Sequence, residues 1–138
     1  KRFKKYFTFI DESYNANPSS VRNAIINFSN IKKNNFKKYF LLGDMLELGK
    51  KSDLYHRNLS SFINKSDIDK LFVFGKKAFK TYQKTHRNKQ GNILQNIEDF
   101  DQVFSNIIKK NDHLMIKGSN ATGLNALSKN IIIGKNAL

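Results

Sequence analysis

A chain of 138 residues suits one compact domain, and no apolar run in it approaches the roughly 18 residues that a membrane span needs. The absence of cysteine excludes disulfides, thiolate metal sites and cysteine nucleophiles, and is in keeping with a cytoplasmic protein. The net charge of +14 is carried by 21 Lys and four Arg, with the lysines in scattered pairs such as Lys32-Lys33, Lys50-Lys51 and Lys109-Lys110; nucleic-acid recognition favours the bidentate Arg, so the balance speaks against a nucleic-acid partner.

The chain opens with the basic run Lys1-Arg2-Phe3-Lys4-Lys5, which no apolar stretch with a small-residue cleavage site follows, so it does not read as a signal peptide. The chain does not begin with Met and reads as a piece of a longer polypeptide. Tyr6 to Ile10 is apolar and β-prone, which predicts a buried strand. Asn17-Pro18 then places a good N-cap before proline at the first helical position, and Val21, Ala24, Ile25 and Phe28 recur at helical spacing. Tyr39 to Leu42 predicts a second strand, ended by Gly43. Ser52 is the expected cap of a second helix with Leu54, Tyr55, Leu59, Phe62 and Ile63 on its apolar face.

Leu71 to Phe74 predicts a third strand, ended by Gly75, and Ala78, Phe79 and Tyr82 mark a third helix. Asn92 to Gln95 reads as a short strand, and Phe100, Val103, Phe104, Ile107 and Ile108 as a fourth helix. His113 to Ile116 is a further strand, leading into Lys117-Gly118-Ser119; a last helix is expected over about 122–130, and Ile131 to Ile133 is either its end or a final short strand. The alternation of short apolar strands with helices predicts an α/β, Rossmann-like, mainly parallel sheet with helices on both faces, in one domain over 1–138.

In such sheets ligands bind beyond the carboxyl ends of the strands. That rule gathers Asp11-Glu12-Ser13-Tyr14-Asn15, Gly43-Asp44 and Lys117-Gly118-Ser119 on one edge. Carboxylates, an ammonium, hydroxyls and amides would converge there, a rim suited to a small zwitterion or a phosphorylated ligand. Asp11-Glu12 alone reads either as an acid–base pair or as a solvated strand end, and composition favours the solvated end.

Other motifs fail on spacing. Gly43 to Ser52 imitates a phosphate-binding P-loop, but five residues separate Gly43 from Gly49 where the motif has four, and Lys51 stands where Ser or Thr must ligate magnesium. His56, His86 and His113 have no metal-like spacing, so no metal site is expected. His56, one turn into a helix facing the Gly43 loop, suits either a bond to a nearby carbonyl or carboxylate, or a ligand contact. His113 is expected only to pack, and Ser13 and Ser119 lack a triad pattern.

Three ordered strings carry a resemblance: Ile10-Asp11-Glu12-Ser13-Tyr14-Asn15-Ala16-Asn17-Pro18-Ser19-Ser20, then Leu42-Gly43-Asp44-Met45-Leu46-Glu47-Leu48-Gly49 with Ser52 and His56, then Ile116-Lys117-Gly118-Ser119. From about Phe7 to Ile132 the chain resembles the carboxy-terminal domain of Mur-type peptide ligases of bacterial cell-wall synthesis. The Tyr14-Asn15-Ala16-Asn17-Pro18 run is similar to the MurF branch, the UDP-N-acetylmuramoyl-tripeptide:D-alanyl-D-alanine ligases.

The resemblance implies a third domain that supplies a D-alanyl-D-alanine site and closes over ATP. The amino-terminal domain for UDP-N-acetylmuramoyl-tripeptide and the central P-loop domain for ATP and magnesium would be absent. The chain would then carry no catalytic residue of its own and be inactive alone. It further implies that Glu12 and Asp11 face the ATP ribose, with Tyr14 and Asn15 beside the nucleotide. Asn15, Asn17, Lys117 and Ser119 would line the dipeptide, with Asp44 and His56 behind them. Two departures stand out: many relatives carry Asp where this chain has Glu12, and the family often carries Arg where this chain has Asn120. For Met45 to Leu48 the plain alternative is packing against the sheet edge. Other readings of the same residues are a related Mur or folylpolyglutamate-type ligase domain and a stand-alone small-ligand module.

Overall fold

The computed structural model describes residues 7–13, 15–119 and 122–127. Five strands, β1 (Thr8–Glu12), β2 (Lys38–Gly43), β3 (Lys70–Phe74), β4 (Gln90–Leu94) and β5 (His113–Lys117), form one sheet in the order β1-β5-β2-β3-β4. Every pairing is parallel. Because β5 inserts between β1 and β2, the carboxyl ends of these three strands are neighbours.

Side chains alternate across the central strands. Phe40, Leu42, Leu71, Val73 and Met115 face a core shared with α1 (Pro18–Asn30), α2 (Ser52–Lys65) and α3 (Ala78–Lys84). Tyr39, Leu41, Phe72, Leu114 and Ile116 face a second core built on α4 (Asp99–Ile107), together with Leu124 and Leu127 of a short helical stretch at 124–127. Phe72 meets Phe104 at a tilt, with ring centroids 4.5 Å apart, and Phe104 meets Phe100 edge-on at 4.7 Å. Both faces are thus covered, as a fully parallel sheet requires.

The local signals explain most boundaries. Asn17 caps α1 as expected: its Oδ1 accepts from the Ser20 amide at 2.8 Å, Ser20 Oγ accepts from the Asn17 amide at 3.0 Å, and Pro18 opens the helix. At the opposite pole Lys38 is fully buried, and its ammonium donates to the Ser29 and Ile31 carbonyls at the end of α1 and to both Asp67 oxygens at 2.9 and 3.0 Å.

Four expectations shift. β1 runs to Glu12 rather than ending at Ile10, because Asp11 and Glu12 pair in register with Ile116 and Lys117 of β5. Ser52 is the first residue of α2 and not its cap, since a 3-10 turn over Gly49–Lys51 delivers the chain already helical. Leu54 is exposed, and His56 takes the buried position one turn into α2. β4 begins at Gln90, ahead of the expected strand. Tyr6, Tyr14, Asn120 and residues 128–138, including Ile131 to Ile133, lie outside the described residues. Among the described residues no helix is long and apolar enough to cross a membrane.

Candidate functional site

The three strand ends singled out from the sequence meet at one rim. Glu12 closes β1 at the edge, Lys117 closes β5 beside it, and Gly43 leads from β2 into Asp44. Lys117 is almost wholly buried, and its ammonium donates to the Asn15 carbonyl at 2.6 Å and lies 3.5 Å from Glu12 Oε1. The cation thereby ties the β1–α1 loop to the middle of the sheet. Glu12 stays half in solvent, so the short Asn15 contact is the stronger of the two. Asp11 turns back on its own loop: its Oδ1 accepts from the amide and the hydroxyl of the buried Ser13, at 3.0 and 2.6 Å.

The second half of the rim is the loop after β2. Asp44 Oδ1 accepts from the Ala78 amide at 2.7 Å and so caps the amino terminus of α3. The Asp44 carbonyl accepts from the Ser119 amide at 3.1 Å, and the Leu46 amide donates to Ser119 Oγ at 3.0 Å. The Ser119 carbonyl in turn accepts from the amide and hydroxyl of Thr122, at 3.0 and 2.7 Å. Met45 is fully buried in the first core and Leu48 packs on it, so these two side chains serve packing. Glu47 holds a left-handed φ of +62°, a conformation L side chains rarely adopt.

Beneath this loop His56 is fully buried. The Met45 amide donates to its Nε2 at 3.0 Å, and its Nδ1 sits 2.8 Å from the Ser52 carbonyl. This pair of partners fits one neutral tautomer, with the proton on Nδ1. Burial is the main cause that holds its pKa below the ordinary 6.5; the Ser52 bond and the charges of Asp44 and Asp53 work against that shift, while Lys77 adds to it. His113, by contrast, stacks at 4.0 Å on Phe36 at the other end of β5, away from the rim.

The floor is made by two glycines. A Cβ on Gly43 would lie 2.4 Å from Leu124 Cδ1, and one on Gly118 would lie 2.9 Å from the same methyl and 3.2 Å from the Gly43 Cα. Only side-chain-free residues let β2, β5 and Leu124 close together there.

Of the residues expected at the site, Asp11, Glu12, Asn15, Lys117, Ser119 and Asp44 are at the rim, and His56 lies under it. Asn17 is exposed and opens α1, with its amide oxygen engaged in capping. Sequence reasoning missed the backbone of Met45 and Leu46, Thr122, and the bond from Asp44 to Ala78; the last joins positions 34 apart, a distance that no local pattern registers. Among the described residues no group of three or more His, Asp or Glu is placed to hold a metal ion.

A five-stranded parallel α/β domain with this loop-bearing edge belongs to the Mur ligase family: the family described as Mur ligase, glutamate ligase domain, matches residues 1–120. Within it the chain is 32% identical, over 95% of its length, to the UDP-N-acetylmuramoyl-tripeptide–D-alanyl-D-alanine ligase of Buchnera aphidicola subsp. Baizongia pistaciae, and 27% identical, over 91%, to the ligase of the same name from Bacillus subtilis. It spans only 28% of either relative. The fold superposes on MurF of Acinetobacter baumannii with a TM-score of 0.75 at 24% identity, covering 94% of this chain and 29% of that one. It superposes on the MurF ligase of Thermotoga maritima in complex with ADP with a TM-score of 0.74 at 22% identity, covering 99% and 29%.

Proposed function

We propose that this chain is the carboxy-terminal domain of an ATP-dependent ligase that joins D-alanyl-D-alanine to UDP-N-acetylmuramoyl-tripeptide in peptidoglycan synthesis, in the cytoplasm. The observation that carries the reading is the convergence of the three motif strings on one rim, through the bonds of Lys117 to Asn15 and of Ser119 to the Asp44–Leu46 backbone. The similarity to ligases of that name supports it.

In this reading the reaction activates the tripeptide carboxylate as an acyl phosphate at the expense of ATP. The dipeptide amine then attacks the acyl carbon and phosphate leaves. The P-loop that binds ATP and magnesium belongs to a central domain outside this chain. This domain's share is to hold the dipeptide and to close over the nucleotide, so that amine and acyl carbon meet in a productive geometry.

Glu12, with Asp11 next to it in the chain, faces the ATP ribose, and Tyr14 is assigned to the nucleotide side. Asn15, Lys117 and Ser119 orient the dipeptide, and Asn17, its oxygen occupied, contributes its amide NH2. Because Lys117 already holds Asn15, its remaining donor capacity is aimed from a fixed point, which suits an ammonium meeting a carboxylate.

The test is an amide NMR titration of the chain with D-alanyl-D-alanine, with L-alanyl-L-alanine as control. Stereoselective shifts at Asn15, Lys117 and Ser119 are expected. Identical responses to both dipeptides, or none at about 10 mM, ten times a 1 mM dissociation constant, would overturn a dipeptide site formed by this domain.

A further inference from the structure

His56 cannot touch a ligand at the rim, since it is fully buried under the loop. Its bonds nevertheless lead to the rim. Nε2 accepts the Met45 amide at 3.0 Å, and the next amide along, Leu46, donates to Ser119 Oγ at 3.0 Å. The Ser119 amide returns to the Asp44 carbonyl at 3.1 Å, and the Ser119 carbonyl is held by Thr122. One lone pair of the Ser119 hydroxyl is therefore occupied by a fixed donor. Among the described residues no acceptor takes its proton, and in the function proposed above a ligand oxygen would take it.

The chain of bonds has a definite polarity. Met45 needs an acceptor below it, and imidazole supplies one only while Nε2 is bare and Nδ1 carries the proton, here given to the Ser52 carbonyl at 2.8 Å. A proton on Nε2 would set N–H against N–H and push the Asp44–Met45 peptide, and with it the Leu46 amide that follows, out of line. That stretch also precedes Glu47, whose left-handed φ leaves the loop strained and reliant on such anchors.

We propose that His56 is a positioning residue for Ser119: its bare Nε2 fixes the Met45–Leu46 backbone, which in turn orients the Ser119 hydroxyl as a hydrogen-bond donor to the carboxylate of the incoming dipeptide. The role of Ser119 toward the dipeptide rests on the function proposed above, while the clamp between His56 and the loop does not.

The experiment uses this chain with His56→Gln and His56→Leu, each also in a Ser119→Ala background. Gln places an amide oxygen where Nε2 stands, and Leu cannot accept. In the unmodified chain, imidazole nitrogen spectra are expected to show Nδ1 protonated and Nε2 bare. His56→Leu is expected to speed hydrogen exchange at Met45 and Leu46 about tenfold or more and to weaken D-alanyl-D-alanine binding about tenfold, the size of one lost hydrogen bond. His56→Gln should recover most of both. In the Ser119→Ala background the change at position 56 should no longer affect affinity, because the two act as one unit.

The opposite tautomer, unchanged exchange at Met45 and Leu46 in folded His56→Leu, or an equal loss of affinity with and without Ser119 would each overturn the proposal. Should His56→Leu not fold, the tautomer and the His56→Gln exchange rates still decide on the clamp. If the unmodified chain shows the tautomer and slow exchange yet binds no dipeptide, the clamp stands, and it is the domain's assignment to dipeptide binding, and with it the Ser119 step, that falls.

Discussion

The buried ammonium of Lys117 lies 2.6 Å from the carbonyl of Asn15, 102 positions earlier in the chain. A positive charge in that place holds the β1–α1 loop against β5, and Glu12 adds a longer, half-solvated contact at 3.5 Å. Lys117→Met keeps the stem's bulk and removes the charge. It is expected to cost about 1.5–3 kcal/mol, the range for a hydrogen bond to a charged group. Glu12→Gln should cost less than about 1 kcal/mol, as exposed pairs do. Urea unfolding of the two variants orders them, and equal losses would show that Asn15 is not the principal partner.

Lys37 and Lys38 are neighbours in sequence with opposite fates. The Lys37 side chain is 63% exposed and reaches Asp69 only at 3.9 Å, whereas Lys38 is buried on Asp67 and the last carbonyls of α1. Lys37→Met is expected to change stability by less than about 0.5 kcal/mol. Lys38→Met strands two carbonyls and a carboxylate and is expected to cost about 2–4 kcal/mol, tempered by the partial exposure of Asp67, which water can reach. Thermal unfolding midpoints should separate the two clearly.

Much of this architecture is legible in the sequence because it rests on local rules. Asn17-Pro18 states the start of α1, and the apolar runs at Phe40 and Phe72 state buried strands. What stays hidden depends on partners across the fold. Nothing near Glu12 says that it continues a strand; its register against Lys117 does. Leu54 fits a helical apolar face by spacing yet stands exposed, while the buried face of α2 carries His56, whose carbonyl accepts from the Thr81 hydroxyl of α3 at 2.6 Å. The candidate site follows the same division. Its strings name the residues, while their roles as clamp, cap and floor arise from contacts between strands that the chain brings together only when folded.

Gly75 tests how tightly Asp44 is held. It has φ of +121°, and a Cβ there would stand 2.3 Å from Asp44 Oδ1, the oxygen that caps α3. Gly75→Ala therefore combines backbone strain with eviction of the cap. A loss of about 2 kcal/mol or more is expected, with faster amide exchange at Ala78. A neutral substitution would mean that the turn has another conformation available.

The last prediction concerns pH and turns on the sign of the His56 shift. Burial lowers its pKa in the folded chain below the ordinary 6.5, against the raising effects of the Ser52 bond, Asp44 and Asp53 and with the help of Lys77. Between the folded and unfolded pKa values the unfolded chain binds more protons, so stability rises with pH in that window. The contribution is complete above about pH 6.5, the unfolded value, and drains away as pH falls toward the folded pKa. Gln at position 56 does not titrate, while the remaining ionisable groups are common to both proteins. From about pH 7.5 to 5.5, wild-type stability measured by urea unfolding should therefore fall more steeply than that of His56→Gln. Parallel slopes would mean that His56 accepts a proton as readily in the fold as out of it, which is incompatible with a bare Nε2 committed to the Met45 amide.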